Sequence, residues 1–252
     1  MLSTMMHTPM SVQLIMEHGK TVFPDSRVGT FDGTSISYKR YADIADDATR
    51  LANALNSLGI EPGERVGTFS WNNTAHMEAY LAIPSMGAVM HTVNIRLSPE
   101  HIAYIINHAA DRAILLDATL VELFEPVLPL LESVEHIIAI GGDVSFAGFS
   151  CHNYEQLLAD QATDYDWPVL DESSAAAVCY TSGTTGNPKG VVYSHRTTFV
   201  HSMASRAADT FGICEHDRIL LLPPMFHANA WGLPYSGWFG GSDFIMPGPH
   251  LQ

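Results

Sequence analysis

A mostly parallel, doubly wound α/β fold is predicted by two properties of this 252-residue chain. Short apolar, β-branched runs take turns with stretches whose apolar residues recur at helical spacing. Strand and helix in strict alternation imply right-handed βαβ crossovers, which set successive strands parallel. The composition, 46% hydrophobic and 10% aromatic, suffices for one large core or two modest ones. No internal repeat or low-complexity tract interrupts the pattern.

The elements follow in order. Residues Met1 to Val28 form an entry segment with a short amphipathic helix around Ser11 to His18. Alternation from Phe31 to Ser37, around Asp32-Gly33, predicts a hairpin, and Ser37 is placed to cap the helix after it. That helix shows Tyr41, Ile44, Ala48, Leu51, Ala52, Leu55 and Leu58 at helical spacing and ends at Gly59. The turn Glu61-Pro62-Gly63-Glu64 leads into a strand at Arg65 to Ser70. Helices are then expected over Thr74 to Met86, Pro99 to Ala109 and Val121 to Leu131. They alternate with strands at Val89 to Asn94, Ala113 to Asp117 and His136 to Gly141. A first α/β subdomain is therefore expected over 1–150, a polar connector over 151–172, and the start of a second subdomain over 173–252. The second comprises strands at Ala175 to Tyr180, Gly190 to Tyr193, Arg218 to Leu222 and Asp243 to Met246. Its helices are expected at Thr197 to Thr210 and near Ala230 to Trp238.

Charge and cysteine content narrow the function. A formal net charge of -15 argues against nucleic acid, whose phosphates demand clustered Lys and Arg. Small anions such as ATP are met by local groups and are not excluded. Cys151, Cys179 and Cys214 are odd in number and widely spaced, which fits reduced thiols with packing roles and no metal site. No basic n-region precedes an apolar stretch at the N-terminus, and no run reaches the ~18 apolar residues of a membrane span. A cytoplasmic protein is expected.

The most informative segment is Tyr180-Thr181-Ser182-Gly183-Thr184-Thr185-Gly186-Asn187-Pro188-Lys189-Gly190. Glycines within a run of hydroxyl residues let successive backbone N–H groups turn toward one point, a concavity suited to an anion. Lys189, one of three lysines, stands at its far end as a mobile positive charge. A solvated Ser/Thr/Gly linker is the alternative, but the apolar runs on both sides read as strands. A Walker A loop is excluded, because a β-branched run follows Pro188-Lys189-Gly190 in place of a helix.

The segment resembles the signature of the adenylate-forming superfamily, which includes acyl-CoA synthetases, peptide-synthetase adenylation domains and luciferases. By that resemblance Thr181, Ser182, Gly183, Thr184, Thr185, Gly186 and Lys189 hold the β- and γ-phosphates of ATP. Thr181 is then the implied Mg²⁺ ligand.

A second run, Pro223-Pro224-Met225-Phe226-His227-Ala228-Asn229-Ala230-Trp231, follows a strand, where open parallel sheets bind their ligands. His227 can be a general base, a ligand-positioning donor or a residue satisfied by local backbone. The run resembles fatty acyl-CoA synthetases, in which the histidine lies near the acyl and adenylate groups. Amino-acid-activating relatives carry an acidic residue at that position, so His227 implies a plain carboxylic acid. In long-chain members the tryptophan matching Trp231 gates the fatty-acid tunnel, whereas large aromatics in general fill cores.

Two further segments, Val93-Asn94-Ile95-Arg96-Leu97-Ser98-Pro99-Glu100 and Gly240-Gly241-Ser242-Asp243, resemble the same synthetases. Asn94 and Arg96 read equally well as a turn cap and a surface charge. The resemblance spans the whole chain but only the front part of the family pattern, so a fragment without catalysis of its own is expected. For the parent it implies ATP-dependent formation of acyl-adenylate, with His227 and Lys189 in catalytic roles, then transfer to CoA. A homodimer through the N-terminal region is also implied. A fatty-acyl-AMP ligase or luciferase-like enzyme, and a nucleotide-binding or structural piece, are the alternatives.

Overall fold

The computed structural model describes residues 1, 3–181 and 186–250. The larger of its two sheets contains β3 (Arg65–Phe69), β4 (Val89–Thr92), β5 (Asp111–Asp117), β6 (His136–Ile140), β7 (Ser150–Asn153), β8 (Ala175–Tyr180) and β9 (Gly190–Ser194). Their order is β7-β6-β5-β3-β4-β8-β9, parallel throughout except for the final β8–β9 pair. The smaller sheet runs β10-β11-β1-β2, from β1 (Arg27–Phe31), β2 (Ile36–Arg40), β10 (Arg218–Leu220) and β11 (Asp243–Met246). The doubly wound, mostly parallel α/β expectation holds.

The helices between the sheets explain why the chain folds this way. Helix α1 spans Val12–Val22, α2 Tyr41–Ser57 and α3 Thr74–Ser85. Every residue of α3 from His76 to Ser85 is buried, which fits a helix with apolar groups all round and protein on every side. One continuous apolar core joins α1, α2 and α3 to strands of both sheets. Trp238, fully buried, stacks on Tyr41 with centroids 3.9 Å apart and donates from its indole N–H to the Met16 carbonyl. Gly19 makes room for it, since a Cβ there would sit 2.1 Å from Trp238 Nε1. A second core on the opposite face of the larger sheet is closed by α4 (Pro99–Ala109) and α5 (Val121–Phe124).

Four expectations change. Ser37 lies within β2, paired with Thr30, and does not cap α2. Sheet pairing claims that residue, and Arg40 takes the cap position with its guanidinium on Asp43 in the first turn. The helix expected over Val121 to Leu131 is only one α turn flanked by 3₁₀ turns, because Pro126 and Pro129 withhold donors. The connector at 151–172 supplies part of β7 and helix α6 (Tyr154–Ala159), capped by Asn153. Nor do the sheets follow the expected division of the chain. β8 and β9 extend the larger sheet, while β1 pairs with the late strand β11 and so joins the β1–β2 hairpin to β10 and β11. Most strands pair with a neighbour in sequence; β1–β11, β3–β5 and β4–β8 are the pairs that do not.

The remaining helices are α7 (His195–Arg206), opened by a reciprocal Ser194–Thr197 capping box, and α8 (Leu233–Gly240). The three cysteines are free, with Cys179 buried as expected and Cys214 exposed. No described helix is long and apolar enough to cross a membrane.

Two buried histidines tie folding to pH. His76 sits at the start of α3, its Nδ1 3.0 Å from the Trp71 carbonyl and its Nε2 2.9 Å from Thr68 Oγ1. A carbonyl only accepts, so Nδ1 carries the proton. Burial lowers the pKa of His76 to about 4, and does the same for His195, whose Nδ1 accepts the Val12 N–H. Both are neutral in the fold while the unfolded chain binds protons below the usual 6.5. Stability therefore falls as pH drops from 6.5 toward 4. Burial raises Glu78, Asp111 and Asp117, which act with the opposite sign, so a difference experiment isolates the histidine. Urea unfolding at pH 7 and pH 4.5 should cost the native chain about 2 kcal/mol more than His76→Gln on acidification. Equal losses in the two proteins would contradict the neutral buried imidazole.

Candidate functional site

β8 and β9 are antiparallel, with Tyr180 opposite Gly190, so residues 181–189 form the loop that joins them. Two hydrogen bonds close its stem. The Thr181 N–H donates to the Lys189 carbonyl at 3.0 Å, and the Lys189 N–H donates to Thr181 Oγ1 at 3.3 Å. Pro188 is buried beneath the stem while Lys189 and Gly186 are exposed. Gly186 takes φ +147°, a conformation open to glycine. Ser182, Gly183, Thr184 and Thr185 lie outside the described residues. The chain leaves the loop as a strand, as the sequence requires.

The second run is anchored from the other sheet. Asn72, three residues past the end of β3 and 4% exposed, donates from Nδ2 to the carbonyls of Leu221 and Pro223, each at 2.9 Å. Its Oδ1 accepts the Met225 N–H at 2.7 Å. The Tyr80 hydroxyl donates to the Met225 carbonyl from α3. Thus α3 and the residues before it splint the chain just ahead of His227. Arg96, read from sequence as a surface charge, lies over the Phe226 ring at 5.8 Å, and Asn94 Oδ1 accepts the Arg96 N–H as a turn cap.

Beyond His227 the backbone turns left-handed. Ala228, Asn229, Ala230 and Trp231 have φ of 45°, 50°, 48° and 58°, and Gly232 ends the run at 71°. Each non-glycine residue in such a run costs roughly 1–2 kcal/mol, a strain that surrounding contacts must impose. Ala230 is fully buried, and Asn229 Oδ1 accepts a hydrogen bond from Thr92 Oγ1 at 2.9 Å. The expected helix from Ala230 accordingly begins only at Leu233, after the turn.

The turn and α7 enclose a cavity of about 420 Å³, lined by Tyr193, Thr197, His201, Asn229, Trp231 and Tyr235 among others. Trp231 is 61% exposed, so the core reading fails for it and Trp238 is the core tryptophan nearby. His227 is exposed, its N–H donating to the Pro224 carbonyl and its own carbonyl accepting the Ala230 N–H. It is not among the residues lining this cavity. The turn packs against β8, whose Cys179 stands two residues before Thr181. Burial raises the Cys179 pKa, which keeps that thiol protonated. Among the described residues no cluster of three or more His, Cys, Asp or Glu converges on a metal position.

A larger cavity of about 670 Å³ lies where β1, β3, β5 and β6 end, beside Asn73 and Asp117. It includes none of the site residues predicted from the sequence. Sequence reasoning missed Asn72, Tyr80, Thr92 and His201. Only Asn72 had a signal, its place at the carboxyl end of a parallel strand.

Residues 16–252 match the family described as AMP-binding enzyme. A 3-methylmercaptopropionyl-CoA ligase from Ruegeria lacuscaerulensis is 40% identical over 257 residues, covering all of this chain and 48% of the relative. A long-chain-fatty-acid–CoA ligase from Thermus thermophilus is 40% identical over 251 residues, covering 99% of this chain and 45% of the relative. The chain thus spans about half the length of these curated relatives. The crystal structure of a long-chain-fatty-acid-CoA ligase from Archaeoglobus fulgidus superimposes with a TM-score of 0.84 at 21% identity, covering 98% of this chain and 49% of that one. At that identity the likeness bears on fold alone. With the hairpin loop, the splinted turn and a family match over nearly all its length, the chain belongs to the AMP-binding enzyme family.

Proposed function

We propose that the protein carrying this chain activates a carboxylic acid with ATP and passes the acyl group to CoA. The observation that carries the reading is the closed stem of loop 181–189, at the end of β8, with the turn that presents His227 and Trp231 packed against that strand. The acid's carboxylate attacks the α-phosphate of ATP, giving acyl-adenylate and pyrophosphate; the CoA thiol then displaces AMP and forms the thioester. Such transfers ask the protein for positioning and charge neutralisation more than for covalent help.

Each residue has a part in this reading. Lys189 emerges exposed from the stem and neutralises charge on the β- and γ-phosphates. The Thr181 backbone and hydroxyl fix that lysine's origin through the two stem bonds. Thr181 Oγ1 is the loop-stem oxygen that would hold a Mg²⁺ ion bound with ATP, and the ion would supply charge neutralisation on the phosphates. His227, free of the cavity wall, orients the reacting carboxylate and phosphate, while Trp231 controls entry of the acyl chain.

The relatives support an aliphatic acid, one being named for a short thioether acyl group and another for long-chain fatty acids. A fatty acid is the reading taken here, because an apolar cavity edged by an exposed tryptophan suits a hydrocarbon chain. Product analysis with a graded series of acids tests it. Thioester from aliphatic acids is expected; free adenylate that persists with CoA present would favour a ligase that stops at the adenylate.

Two variants examine the roles. Lys189→Ala is expected to lower acid-dependent pyrophosphate release by about 10²-fold or more, as losing one donor to developing charge does. Thr181→Ala should also impair release, and unfolding midpoints should stay near native because both residues are exposed. Undiminished release in both would remove the loop from the chemistry. Trp231→Ala is expected to change chain-length preference with little loss of stability, since the side chain is 61% exposed. A loss near the ~3–5 kcal/mol of a buried aromatic truncation, at unchanged preference, would contradict the gate.

A further inference from the structure

We propose that Thr92 is a positioning residue, a latch that holds the left-handed turn and thereby sets where Trp231 meets the incoming acid. The inference rests on the acid-activating reading above.

A left-handed run of four non-glycine residues persists only where its surroundings over-determine it. Before the run, Asn72 pins Leu221, Pro223 and Met225. After it, Ser236 Oγ donates to the Gly232 carbonyl at 2.9 Å from the first turns of α8. Within it, the Thr92–Asn229 bond is the one side-chain hydrogen bond among the described residues. Both partners are buried, Thr92 1% and Asn229 7% exposed, so water has little access to replace a lost donor. Asn229 belongs to a residue type that tolerates the left-handed region; Ala228, Ala230 and Trp231 do not.

Trp231 is mostly exposed and held by no side-chain hydrogen bond among the described residues, so its direction follows from its backbone. Thr92 sits at the end of β4 in the larger sheet and does not line the cavity. Its hydroxyl therefore acts on the acid only through the turn. A hydroxyl that acts as a latch and a methyl that merely fills space make opposite demands on substitution.

The test compares Thr92→Val, which keeps the shape and drops the hydroxyl, with Thr92→Ser, which keeps the hydroxyl. Steady-state kinetics are measured on the protein carrying this chain, alongside limited chymotrypsin cleavage after Trp231. Thr92→Val is expected to raise KM for the acid about tenfold while KM for ATP holds, and to speed cleavage at Trp231. Thr92→Ser is expected to restore both toward native values. A Val variant with native acid KM and native cleavage overturns the latch. So does a Ser variant impaired as much as Val, because the role would then follow volume. If the native protein consumes no ATP with any acid, the acid-activating reading fails, and cleavage at Trp231 alone decides for or against the latch.

Discussion

Helix α3 can be buried on all sides only if sheets and helices close around it, and much of this molecule is arranged to do so. Few polar side chains fall in its buried stretch; His76, Glu78 and Tyr80 are bonded internally, while the buried Ser85 hydroxyl has no partner among the described residues. His76 bridges the Trp71 carbonyl and Thr68 hydroxyl, and Glu78 meets Lys39 and the Tyr154 hydroxyl. Each such bond stands in for water, since an unsatisfied polar group here would cost more than an average hydrogen bond returns. The smaller sheet is built from the first and last described strands, and its strand β1 packs against α3.

The same helix governs the site. Asn72 and Asn73 lie at its N-terminal end. Asn73 caps it by accepting the His76 N–H, and Asn72 reaches across to the turn that follows β10. Tyr80, about two turns further along, holds the Met225 carbonyl. The rigid interior element thus fixes a loop belonging to the other sheet, and the left-handed run starts from that fixed point. Strain concentrated at four residues is sustained by bonds from residues far away in sequence. Placement of this kind suits a site that must be set before ligand arrives rather than assembled by it.

Much of the fold was legible in the sequence because its strands and helices declare themselves by period. Helix Pro99–Ala109 and strands Ala175–Tyr180 and Asp243–Met246 occur where the pattern puts them. Ser37 misled because a serine before a helical pattern looks like a cap, while the second arm of the hairpin runs on through it to Arg40. The prolines at 126 and 129 were visible, but apolar spacing across them suggested a longer helix than missing donors allow. At the site, the loop and the His227 run were legible as chemistry-bearing residue types. Asn72, Thr92 and Tyr80 were not, because each acts through a contact some 137 to 153 positions away. Trp231 and Trp238 illustrate the limit well: two tryptophans in one segment, alike in sequence, of which one is core and one is exposed.

Acid-dependent exchange of labelled pyrophosphate into ATP tests the central claim most directly, because it reports adenylate formation alone and needs no CoA. The account predicts exchange by the protein carrying this chain when an aliphatic carboxylic acid is supplied, and none when the acid is withheld. Folded protein that binds ATP yet shows no exchange with any acid across the series would contradict it.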